Sequence, residues 1–244
     1  QAIARDAGRP PLFIAVDQEG GGIRRLPWAE PVNQAAVMGA RLSVAAVRRV
    51  GRATGTALAA AGVNLNLAPV ADTPRAPSGF MYDAGRTFSR TSARTARLAT
   101  AFALGQESAG VSATIKHFPG IGRVAENTDK VPGTVTASGD ELARDLAAFI
   151  PAINAGVDLV MLSNVTYTAY DENNAAGWSY AIATTLLRST LGFTGVTITD
   201  SLDGTAHSRG VTARSLALRA AQAGVDLVIL TSPEFRSEKA FTLL

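Results

Sequence analysis

The sequence predicts an α/β fold in which parallel strands alternate with helices, and three observations carry that prediction. A phrase recurs four times, as Ala61-Gly62-Val63, Ala109-Gly110-Val111, Ala155-Gly156-Val157 and Ala223-Gly224-Val225, each after an Ala/Leu/Arg-rich segment and before a β-branched run. A glycine just past a helix takes up the left-handed conformation that closes it, so the phrase reads as a helix stop followed by a strand start. Six short apolar runs are spaced along the chain, near-continuous rather than alternating, as parallel strands buried on both faces are. Between them lie segments with helical periodicity.

In chain order, strands are expected over residues 12–17, 63–69, 111–116, 159–164, 196–200 and 227–231. Helices are expected between them, for example over 92–108 and 212–223; in the latter Leu216, Ala220 and Ala223 share a face at i, i+4 and i+7. Phe193-Thr194-Gly195-Val196 is a variant of the recurring phrase ahead of Thr197-Ile198-Thr199-Asp200. Ser232-Pro233-Glu234 reads as an N-cap with proline at the first helical position, opening a further helix. Strand–helix units joined by right-handed crossovers leave two architectures, a doubly wound sheet or a (β/α) barrel. Nothing resembling a linker divides the chain, so residues 1–244 read as one domain.

Composition narrows the function. The 244 residues, 47% hydrophobic and 18% charged, suit a globular core and the length of one barrel, which runs to about 250 residues. The net charge is +3, from arginines placed singly or in pairs (Arg24-Arg25, Arg48-Arg49), so the linear sequence shows no basic stripe for nucleic acid. The absence of cysteine excludes disulfides, thiolate zinc sites and a cysteine nucleophile, and two histidines are too few for a histidine-rich metal site. No apolar stretch reaches the length of a membrane span, and the polar segment 1–10 lacks a signal-peptide core.

In both architectures functional groups gather at the C-terminal ends of the strands. The first strand ends in Asp17-Gln18-Glu19-Gly20-Gly21-Gly22, the second in Pro69-Val70-Ala71-Asp72, and the third in Lys116-His117-Phe118-Pro119-Gly120. The fourth ends in Ser163-Asn164, the fifth in Thr199-Asp200-Ser201 and the sixth in Thr231-Ser232. Any single carboxylate here could cap a helix or pair with an arginine. Three converging sets argue for a site. The glycine triplet lacks the spacing of a phosphate loop. Lys116 alone could be a Schiff-base lysine, His117 a substrate ligand or a structural histidine, and His207 falls in a Gly/Ser-rich stretch where a solvated side chain is expected.

Taken in order, Val16-Asp17-Gln18-Glu19-Gly20-Gly21, Asn66-Leu67-Ala68-Pro69-Val70, Gly85-Arg86-Thr87-Phe88, Lys116-His117-Phe118-Pro119-Gly120 and Thr199-Asp200-Ser201-Leu202 resemble family 3 glycoside hydrolases, most of all the compact bacterial β-N-acetylglucosaminidases. The resemblance runs from Pro11 to about Ser232 and implies a (β/α)8-type TIM barrel, incomplete at both ends, with one strand and helix before residue 1 and more helix after Leu244. It implies a retaining exo-β-glycosidase acting on terminal N-acetylglucosamine in cell-wall-type or chitin-type oligosaccharides, with Asp200 as nucleophile. Asp17, Arg25, Arg86, Lys116 and His117 match positions that bind sugar hydroxyls. It implies a carbohydrate partner and no metal or organic cofactor.

Three departures accompany the match. The Asp-Ser-His triplet that supplies the acid/base in that branch corresponds here to Asn127-Thr128-Asp129, Asn164 stands where a histidine is usual, and Gly22 where an arginine is common. Asp129 is the expected acid/base, with Glu126 a poorer match. The other reading is a catalytically impaired barrel that binds sugars.

Overall fold

The computed structural model describes residues 12–76 and 78–231. The strands are β1 (Ala15–Val16), β2 (Gln18–Gly20), β3 (Ile23–Arg24), β4 (Leu65–Asn66), β5 (Ser112–Phe118), β6 (Gly133–Val135), β7 (Leu159–Leu162), β8 (Val165–Tyr167), β9 (Asp171–Ala175), β10 (Val196–Ser201) and β11 (Leu227–Ile229). Six of them form one sheet in the order β1-β4-β5-β7-β10-β11, every neighbouring pair parallel. A doubly wound sheet reverses its strand order at a switch point, whereas this order follows the chain throughout. The architecture is therefore a parallel half-barrel. Its six strands fall within or beside the six expected runs. The helix start expected at Ser232-Pro233-Glu234 and the polar segment 1–10 lie outside the described residues.

Side-chain alternation divides the interior into two layers. Leu65, Leu159, Met161 and Ile198, with Val196, Leu227, Ile229 and Leu67 just past the end of β4, form a cluster that is the concave filling of the arc. Their neighbours Val160, Leu162, Ala113 and Ile115 point the other way, into the larger core shared with the helices. Continuing the inward register gives Asp200 after the apolar Val196 and Ile198, Thr231 after Leu227 and Ile229, and Lys116 after the small polar residues Ser112 and Thr114. The barrel end thus inherits its polar groups from strand parity.

The helices behave as their sequences require. Ser43 caps the helix Val44–Ala60 by accepting from Ala46 N, Thr212 caps Ala213–Gln222 through Ser215 N, and Ser138 and Glu141 form a reciprocal capping box on Gly139–Leu146. Leu216, Ala220 and Ala223 are all buried, as their spacing predicts. The recurring glycines Gly62, Gly110, Gly156 and Gly224 have φ of 81°, 80°, 76° and 85°, so all four close a helix in the left-handed region. The variant phrase differs. There Gly192 takes the positive φ of 71°, and Gly195 is needed instead because a Cβ would lie 2.5 Å from the Asp158 carbonyl oxygen. The preceding helix Ala181–Thr190 is a π-helix.

Two further features lie outside the sequence reading. A small sheet of β6, β8 and β9 folds over the rim, β6 parallel and β9 antiparallel to β8. His207 is exposed as expected but sits on the helix Leu202–Ser208 rather than in a loop.

Candidate active site

At the C-terminal end of the half-barrel lies a cavity of about 660 Å³. All seven residues singled out from the sequence, Asp17, Arg25, Arg86, Lys116, His117, Asp129 and Asp200, line it. They come from three strand ends and three loops, so the sheet order brings them together across up to 183 positions of chain.

The Asp17-Gln18-Glu19 string is divided by strand alternation. Asp17 Oδ1 and Glu19 Oε1 accept from Lys116 Nζ at 2.9 and 2.7 Å. Arg86 adds a bidentate pair to Glu19, Nε to Oε2 at 2.9 Å and Nη2 to Oε1 at 2.7 Å. Gln18, fully buried between them, faces away; its Nε2 donates to the carbonyls of Leu26, Ala29 and Glu30 while its Oε1 accepts from Leu26 N, which fixes the loop carrying Arg25. Asn66 braces Gln18 from beneath, accepting from Gln18 N and donating to Gln18 O. Arg25 lies exposed at the mouth.

The charges of this cluster set one another. Burial alone would raise the Glu19 carboxyl, but the Lys116 ammonium and the Arg86 guanidinium overcome it and bring its pKa down to about 2. Burial likewise opposes the charge on Lys116, and Glu19 and Asp17 reverse it, so its pKa is raised. Two carboxylates on Nζ hold Lys116 as an ammonium, the opposite of what a Schiff-base nucleophile requires. Arg86 is also held above its usual value, by Glu19 first and then by Asp72 and Asp200, against the penalty of burial.

His117 is held by a residue absent from the expected set. Its Nδ1 lies 2.7 Å from Oδ2 of Asp72, a wholly buried carboxylate that also accepts from Ile121 N at 2.8 Å. The carboxylate acceptor keeps a proton on Nδ1 and fixes the orientation of the ring. The Lys116–His117 and Phe118–Pro119 peptide bonds are cis.

The loop of Asn127, Thr128 and Asp129 is turned into the cleft, not away from it. Asn127 Oδ1 accepts from Asp129 N at 2.9 Å, and the Asp129 carbonyl packs so closely on Gly204 that a Cβ there would lie 2.5 Å away. Gly204 belongs to the helix that begins directly after Asp200. Further back, Tyr167 Oη donates to Gly120 O, and Arg123 reaches Asp145, which also pairs with Arg75. Burial, followed by the nearby Asp200 charge, raises the Asp129 pKa, with His117, Arg86 and Lys116 acting against it. Glu126 does not line the cavity. Asn164, in the usual histidine position, is buried and donates through Nδ2 to Ser201 O at 2.7 Å, beside Asp200. Gly20 and Gly21 have positive φ and turn β2 into β3, so the triplet is a hairpin turn.

Glu19, Asp72 and the cavity-lining aromatic Phe80 are the site residues the sequence reading passed over. Asp72 directly follows an apolar run, the same signal that marked Asp17 and Asp200, whereas Glu19 stands two residues beyond Asp17 on the same strand-end string. Phe80 had none, because its helix Phe80–Asp83 is too short for periodicity to show.

Fold and site together define a parallel half-barrel protein whose carboxylates and cations converge on one cleft at the strands' C-terminal ends, an arrangement suited to a polyhydroxylated ligand. Residues 1–242 match the model of the glycosyl hydrolase family 3 N-terminal domain, and the chain belongs to that family. A protein of Arthroderma benhamiae described as an uncharacterized secreted glycosyl hydrolase is 38% identical over 90% of this chain and 63% of its own length. A beta-hexosaminidase of Stenotrophomonas maltophilia is 34% identical over 97% of this chain and 72% of its own. Among solved structures, the beta-N-acetylhexosaminidase of Beutenbergia cavernae superposes with a TM-score of 0.88 at 34% identity, covering 96% of this chain and 72% of that one. The chain thus spans a little under two thirds of the fungal relative.

Proposed function

We propose that residues 1–244 form the barrel domain of a retaining exo-β-glycosidase, a β-N-acetylhexosaminidase releasing terminal N-acetylglucosamine from cell-wall-type or chitin-type oligosaccharides. The observation that carries this reading is that Asp200 and Asp129 line one cavity with the charged side chains of Asp17, Arg25, Arg86 and Lys116 and the imidazole of His117. The names of the bacterial relatives support the sugar class, an N-acetylhexosamine.

In the proposed reaction Asp200 attacks the anomeric carbon and the glycosidic C–O bond breaks, while Asp129 gives its proton to the departing oxygen. Asp129, now a carboxylate, then takes a proton from water. The resulting hydroxide displaces Asp200 from the glycosyl-enzyme and restores both groups. The raised Asp129 pKa favours the protonated form that the first step consumes. Asp17, Lys116, His117, Arg86 and Arg25 would hold the sugar hydroxyls. Glu19 keeps Lys116 and Arg86 in place, and Asp72 orients the His117 ring.

A fluorinated N-acetylglucosamine analogue that traps the intermediate should label Asp200; labelling elsewhere would remove the nucleophile assignment. Asp200→Asn should lower turnover by about 10³-fold or more while sugar binding persists. Asp129→Ala should cost about 10² to 10⁴-fold on an aryl glycoside with a poor leaving group and much less on an activated one. An unchanged rate on the poor leaving group would instead favour the impaired, sugar-binding reading.

A further inference from the structure

The linear sequence spreads its arginines thinly, but the fold sorts them. Residues 31–71 and 84–106 contain eight arginines and no aspartate or glutamate, so the remainder of the chain is net acidic. These stretches include the helix Val44–Ala60 and all of the helix Ser92–Glu107 except its final residue, Glu107; the two pack against each other on the outside of the sheet, Gly51 against Phe102 O and Gly105 against Arg48 O. Arg41, Arg48, Arg49, Arg52 and Arg97 are all exposed, and among the described residues none forms an ion pair. Arg49 and Arg52 border an open groove of about 490 Å³ along Val44–Ala60, completed by Ala53, Thr56, Ala57 and Ala60.

We propose that the exposed Arg48, Arg49 and Arg52 with this groove form a docking surface for a linear, base-free polyanion of repeating phosphates. The cations are all arginine, whose planar fork meets phosphate oxygens in pairs and stays charged at any physiological pH. The groove between them is floored by small side chains, which lets an extended chain lie against the helix. It offers no aromatic ring on which bases could stack and no large exposed apolar side chain to enter a bilayer, so contact is through charge. The groove follows the C-terminal half of a helix that ends just before β4 begins, which places it toward the opposite end of the strands from the cleft. Binding there would leave the cleft open and hold the protein on a charged matrix.

Calorimetric titration of the full chain with linear inorganic polyphosphate tests this. Binding should weaken steeply with salt, and the triple variant Arg48→Gln/Arg49→Gln/Arg52→Gln should bind at least tenfold more weakly, with the log–log salt slope reduced by about 2 to 3. Aryl glycoside hydrolysis should be unchanged in that variant, since none of the three residues lines the cavity. Absence of salt-sensitive binding, equal binding by the variant, or tighter binding to phosphatidylglycerol vesicles or duplex DNA at equal charge would overturn the proposal.

Discussion

Asp129 and Glu19 show how one cleft can push two carboxyl groups in opposite directions. Asp129, raised by burial and by Asp200, holds its proton to higher pH than an ordinary aspartate. As the acid it must be protonated, so kcat/KM should fall as pH rises through that raised value, and Asp129→Asn should abolish this alkaline limb along with most of the rate. Glu19 is depressed to about 2 from 4.5, so its contribution to stability is present above about 4.5 and is lost as pH falls toward 2. The linkage amounts to roughly 3 kcal/mol. Urea unfolding between pH 5 and pH 2 should reveal that loss, and Glu19→Gln should remove it by lowering stability already at pH 5.

At the level of elements, the close contact of Val44–Ala60 with Ser92–Glu107 depends on glycine. A Cβ on Gly105 would stand 2.1 Å from Arg48 O, and one on Gly51 2.2 Å from Phe102 O, both against backbone that cannot swing aside. Gly105→Ala should therefore destabilise by about 1–3 kcal/mol, read as a lowered melting temperature, even though alanine is the better helix former. At the other end of the strands Glu107, raised to about 7 by burial and then by Asp158, accepts from Asp158 N at 2.9 Å. A carboxyl group raised in this way costs stability as pH rises from about 4.5 to 7. After discounting for solvent screening, Glu107→Gln should gain on the order of 1 kcal/mol at pH 8 and little at pH 4. Equal effects at both pH values would exclude the linkage.

Across the whole molecule, legibility followed locality. The four Ala-Gly-Val phrases marked their helix ends because a left-handed closing residue is a local demand that glycine alone meets cheaply. Asp17, Lys116, His117 and Asp200 were readable because each abuts an apolar run, and a strand buried on both faces announces itself in composition. Asp72 carries the same signal, but its work on the His117 ring spans 45 positions of chain and has no trace in either neighbourhood. Phe80 and the β6-β8-β9 sheet come from segments too short or too irregular for any period to emerge. By itself the sequence determined the alternation of strand and helix, the sites where helices close, and the residue types available at the strand ends, since these depend on a few neighbouring residues. Only the tertiary structure decided that the strands run in chain order as a half-barrel rather than a doubly wound sheet, that the Asp129 loop turns into the cleft against Gly204, and that Val44–Ala60 meets Ser92–Glu107 closely at Gly51 and Gly105. Each of those outcomes depends on packing between distant segments, which no single stretch of chain encodes.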